Sequence, residues 1–142
     1  MTQETYISVD VETAGPAAGL HPLLSIGACT LTSPPQTFYV ELKPDSDACL
    51  PEALAVSGLS LENLAHSGLP PEEAMRRFAD WLTQVVPAGG QPVFVALNAP
   101  FDWSFINHYF HRYLGHNPFG HSALDMKALY MGVTRFPWHE TY

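Results

Sequence analysis

Residues 6–16 read YISVDVETAGP, and the way this stretch ends decides how the chain folds. Tyr6 to Val9 is the kind of β-branched and aromatic run that fills a sheet. Side chains at i and i+2 of a strand point to one face, so Asp10 and Glu12 stand side by side if the strand continues through them. Two neighbouring carboxylates repel each other and resist ionising together unless a cation sits between them. Taken alone, the pattern is more simply read as a strand that stops at Asp10 and leaves both acids solvated.

Working outward, Leu23–Leu31 and Thr37–Leu42 read as the next two strands. The material between them, TAGPAAGLHP and TSPP, is rich in turn-forming Gly and Pro. Such short connections predict an antiparallel meander. From Pro51 the apolar period becomes helical. PEALAVSGL predicts a short helix stopped at Gly58, and SLENLAHSG predicts one capped by Ser60 and stopped at Gly68. PPEEAMRRFADWLTQVV is the clearest helix, with Ala74, Phe78, Trp81, Leu82 and Val85 on one stripe. A buried strand at Val93–Leu97 then leads through a short turn into a helix over Phe101–Leu114, the pattern of a parallel crossover. ALDMKALYMGV begins a further short strand or helix. No repeat, low-complexity tract or linker divides the sequence. It reads as one α/β domain over residues 1–142, three antiparallel strands followed by parallel β-α units, with helices packed on the mixed sheet.

The composition narrows the function. A chain of 142 residues, 46% hydrophobic and 14% charged, is large enough for a real core without disulfide staples. Its two cysteines, Cys29 and Cys49, form no disulfide framework, and Cys29 lies inside the apolar run LLSIGACTL. The first residues, MTQETYISVD, lack the basic start of a signal peptide, and no apolar run reaches the length of a membrane span. A soluble protein of a reducing compartment, the cytoplasm, is expected. The net charge of -8 argues against coating long nucleic acid, because that affinity comes from Lys and Arg. It does not exclude a grip on a short nucleic-acid end if bound divalent metals supply the positive charge.

A third acid belongs with the first two. Asp102, in LNAPFDWSFI, sits at the C-terminal end of the fourth strand, the edge at which open α/β sheets bind ligands. If that strand lies parallel to the first and beside it, Asp102 approaches Asp10 and Glu12. Three converging carboxylates form an oxygen-ligand site suited to Mg²⁺ or Mn²⁺. An acid at a helix start is otherwise an ordinary partner of the helix dipole. His108 and His111, at i and i+3, have a metal-binding spacing but no third ligand nearby. Trp103 is a base-stacking candidate or a core residue, and Trp81, Tyr109 and Phe110 read as core.

SVDVETAGP followed by LNAPFDWSFI resembles the first two motifs of the DEDD (DnaQ-like) superfamily of 3′–5′ exonucleases. The resemblance extends to SIGA in the second strand and SGLS after the third, and so covers most of the chain. It implies a ribonuclease-H-like fold and hydrolysis of phosphodiesters at single-stranded DNA or RNA 3′ ends with two metal ions, Mg²⁺ or Mn²⁺. Asp10, Glu12 and Asp102 would ligate the metals. Thr13 would contact the terminal nucleotide, with Asn98 and Phe101 shaping the second motif. The family often has His before the Asn of this motif, where this chain has Leu97.

The family's third motif in the branch most like this chain is His, four residues, then Asp, on a late helix. The His acts there as general base. His121 and Asp125 are one residue short of that spacing, and RFPWHETY offers His139 and Glu140 without it. Asp125 is expected to be structural and His121 a loop residue. The domain is therefore expected to be incomplete at its C-terminus, lacking the last helix, one carboxylate and the base. An uncovered apolar surface would invite self-association, a homodimer being the simplest form. Two further readings stand beside the exonuclease. One is an impaired exonuclease-like module that binds nucleic-acid ends or a partner protein. The other is an unrelated acidic α/β domain in which the acids are incidental.

Overall fold

In the computed structural model, which describes residues 2–141, the first strand runs well past Asp10. The chain builds β1 (Glu4–Thr13), β2 (Leu23–Thr30), β3 (Thr37–Glu41), α1 (Pro51–Ser57), α2 (Leu61–Ser67) and α3 (Pro71–Val85). β4 (Gln91–Ala96), α4 (Ala99–Leu114), β5 (Ala123–Asp125) and α5 (Met126–Thr134) follow, then a 3-10 turn at Trp138–Glu140. The strands form one sheet in the order β3-β2-β1-β4-β5. β1, β2 and β3 are the expected antiparallel meander, and β4 joins β1 in parallel on the other side.

Two boundaries differ from the sequence expectation in a way that shapes the site. β4 ends at Ala96 rather than Leu97, whose side chain is 61% exposed in the following turn. α4 begins at Ala99 rather than Phe101, because Asn98 takes a left-handed conformation (φ 57, ψ 53) that turns the chain sharply, and a proline sits in the helix's first turn. The segment read as a strand or a helix is both: β5 pairs with β4 in parallel, and Asp125 caps α5.

The core lies between one face of the sheet and helices α3 and α4. Ile7, Val9 and Val11 alternate inward from β1 and meet Phe105, Ile106 and Phe110 of α4 and Phe78 of α3. Phe78 stacks on Phe38 (centroids 5.0 Å apart) and on Phe110 (5.6 Å), tying the strand edge to both helices. Each such ring contributes about 1.5–3 kcal/mol by burial. A smaller cluster of Ala14, Leu24 and Leu64 seats α1 and α2 beside the end of β1. The opposite face of the sheet stays open around Asp10 and Tyr39, both exposed.

Candidate active site

Asp10 and Glu12 are placed by strand register. They alternate with buried Val9 and Val11, so the core fixes which way the acids point. Across β2 they face Gly27 and Ser25. The pairing of β1 with β4 ends at Ser8↔Val95, so β1 projects beyond its parallel neighbour. There the chain turns through Asn98 and enters α4, and Asp102 arrives in the first turn of that helix. Its Oδ1 accepts the backbone N–H of Val11 at 3.1 Å, which joins α4 to the strand between the two acids.

The charge of Asp10 reaches both of the other carboxylates. Asp102 is 5% exposed, and burial followed by the charges of Asp10 and Glu12 raises its pKa to about 6, against the pull of the Val11 N–H. Glu12 is also raised, by burial first and then by the charge of Asp10. Among the described residues no group of three or more His, Cys, Asp or Glu side chains is drawn into a ready-made cation cage. Asp102 is turned toward a backbone donor and Asp10 stands in solvent. The donor set still fits a hard divalent cation: it is all oxygen, and it carries mutual repulsion that such a cation relieves.

A cavity of about 360 Å³ opens beside Glu12, lined also by Thr13, Gly15, Phe101 and, from α1, Ala53 and Val56. Its lining is mainly apolar, the character of a pocket for a flat ring with a few polar groups at the rim. Thr13 is buried, and its hydroxyl donates to the carbonyl of Gly15 at 2.8 Å, closing the turn after β1. Phe101 is half-buried against Phe105. Asn98 is exposed at the turn and makes no capping bond with its side chain.

His121 lies apart from these residues, and Asp125 reaches only the backbone at the start of α4, next to Asn98. β5 lies outside β4, two strands from β1, and His121 is exposed before it. Asp125 accepts backbone N–H groups from Ala99, Lys127 and Ala128, so its carboxylate ties the starts of two helices. His108 lines a separate small cavity with His21 and Arg112, while His111 is exposed. Trp103 packs edge-on against Phe94 at 5.2 Å and so serves the core. The contribution of α1 to the cavity was missed from sequence. Its signal was a helix with apolar residues and no stripe: α1 buries none of them fully, and Val56 is 84% exposed.

No protein-family model matches the chain. It is 51% identical over 139 residues to the 3′-5′ DNA exonuclease Cap18 of Escherichia coli, covering 98% of this chain and 74% of that protein. It is 33% identical over 110 residues to ribonuclease T of Salmonella typhimurium, covering 70% of this chain and 51% of the relative. Among solved structures, product-bound exonuclease I superposes on 90% of this chain and 31% of its own, with a TM-score of 0.72 at 19% identity. A zinc-bound complex of Escherichia coli exonuclease I with single-stranded DNA gives the same TM-score at 20% identity, over 94% of this chain and 30% of its own. These last likenesses concern the fold, a ribonuclease-H-like mixed sheet.

Proposed function

Because the chain belongs to the DEDD (DnaQ-like) superfamily of 3′–5′ exonucleases, we propose that it removes nucleotides from single-stranded 3′ ends with the help of two divalent ions, Mg²⁺ or Mn²⁺. The observation that carries this reading is the junction of β1 and α4, where buried Asp102 is held by the Val11 N–H between Asp10 and Glu12, beside an apolar cavity that shares Glu12. Asp10, Glu12 and Asp102 are the residues that would hold the metal. A divalent cation there supplies acidification of water and neutralisation of phosphate charge.

The chain's own residues do the rest. Thr13 and Phe101 line the cavity that takes the terminal sugar and base, with Asn98 at the rim of the turn leading into the helix. The bond from Val11 to Asp102 keeps α4 fixed against β1, so cavity and acids hold one relative position. DNA is the favoured polymer, on the name of the relative that is 51% identical.

A second reading, end-binding without cleavage, is favoured by one observation: among the described residues, the walls of two cavities that Glu12 lines hold no histidine to serve as base. The proposal extends to a cytoplasmic setting, supported by two free thiols. No helix of the described residues is long and apolar enough to cross a membrane. It extends also to a homodimer, supported by the exposed apolar residues of α5. The deciding experiment offers 5′-labelled single-stranded DNA and RNA of one sequence with Mg²⁺ or Mn²⁺. Stepwise shortening from the 3′ end, lost with a chelator and in Asp10→Ala, supports the enzyme; intact substrate that is nevertheless retained by the protein supports the binding module.

A further inference from the structure

The turn after β1 is held from behind by a histidine. Gly15 and Pro16 line the cavity, and the ring of His21, outside that lining, lies directly against Gly15. A Cβ placed on Gly15 would fall on the His21 ring atoms Cγ and Cδ2. Gly15 is not among the glycines of this chain with positive φ, so its backbone does not require glycine. The space does, and the ring occupies it.

His21 also organises the turn through hydrogen bonds. Its Nδ1 accepts the backbone N–H of Ala17 at 3.1 Å, and its own backbone N–H donates to the Ala17 carbonyl at 2.8 Å. The accepting Nδ1 puts the proton of the neutral ring on Nε2. Ala14 donates to Pro22 at 2.9 Å and Thr13 to Gly15 at 2.8 Å, so further bonds close the segment Thr13–Pro22 on either side of the histidine's own two.

We infer that His21 is a positioning residue for the terminal nucleotide: with its ring seated under Gly15 and Nδ1 on Ala17, it fixes the Thr13–Pro16 wall of the cavity beside Glu12. This rests on the exonuclease reading, in which that cavity holds the 3′-terminal nucleotide. His21 itself is not in the cavity wall, so it acts through Gly15. The ligand class is a deoxynucleoside 5′-monophosphate, the product of each cleavage.

The test titrates the whole chain with dTMP in the presence of Mn²⁺ and follows affinity by calorimetry. His21→Ala is expected to weaken dTMP binding about tenfold, the worth of one well-made hydrogen bond with its packing. His21→Asn, whose side-chain oxygen can still accept the Ala17 N–H, is expected to recover most of it. Where the chain cleaves DNA, the loss appears in KM and leaves kcat nearly unchanged. Thermal melting of Gly15→Ala, His21→Ala and the double variant adds a reading independent of nucleotide: the penalty of Gly15→Ala shrinks once the ring is gone. Equal dTMP affinity in wild type and His21→Ala overturns the positioning role alone. No dTMP binding by the wild type overturns the exonuclease reading and this inference together, and strictly additive melting shifts overturn the seat under Gly15.

Discussion

At Asp102, burial and the neighbouring acids push the carboxyl pKa from 3.8 in the unfolded chain up to about 6. A raised folded-state value means that the fold binds this proton more tightly than the unfolded chain does. The stability it lends is present below about pH 4 and is lost as pH rises through about 6. In the metal-free protein, Asp102→Asn removes that loss and keeps an acceptor for Val11 N–H. It should raise the melting temperature at pH 7.5 by a few degrees, on the order of 1 kcal/mol after allowance for solvent screening, while abolishing metal-dependent cleavage. Mg²⁺ should correspondingly raise the wild-type melting temperature more at pH 7 than at pH 5, where a proton still competes for Asp102. The position of Asp10 and Glu12 on one face was legible only on condition that the strand continues past Asp10, as it does to Thr13; the strand's period of two then fixes it, with Val9 and Val11 buried. The donor that holds Asp102, and the His21 ring under Gly15, were not legible. The first crosses from β1 to α4, and the second lies inside the irregular β1–β2 loop, which has no period to read.

At the scale of elements, the meander and the crossover followed from turn chemistry and apolar period. α3 buries Ala74, Phe78 and Leu82 of the stripe expected of it, together with Met75. What the pattern left open was the short segment at Asp125, where three strand residues pass directly into a helix. A run that short carries too few residues for either period to show. Asp125 holds this junction by accepting from Ala99, Lys127 and Ala128. Asp125→Ala should therefore cost about 1–2 kcal/mol in urea unfolding, and Asp125→Asn less, since an amide oxygen still caps α5. Cleavage per folded molecule should fall far less than in Asp102→Asn, because the carboxylate acts only through the backbone at the start of α4.

At the scale of the whole molecule, the sheet is buried by α3 and α4 on one face, and the C-terminal segment is left apolar and exposed. Leu129, Tyr130, Met131, Val133, Phe136 and Trp138 all lie at least 40% exposed. A patch of this kind on a chain of net charge -8 points to contact with another apolar surface. In sedimentation velocity at tens of micromolar, a concentration in the range where weak dimers form, the wild type should show a dimer, and the double variant Leu129→Glu, Val133→Glu should run as a monomer. The account as a whole depends on the claim that Asp10, Glu12 and Asp102 hold divalent ions. Electron paramagnetic resonance of added Mn²⁺ reads this without requiring turnover. The predicted result is protein-bound Mn²⁺ in the wild type that is released in Asp10→Ala while the fold is kept. Mn²⁺ binding that is absent from the wild type, or unchanged in Asp10→Ala, would contradict it.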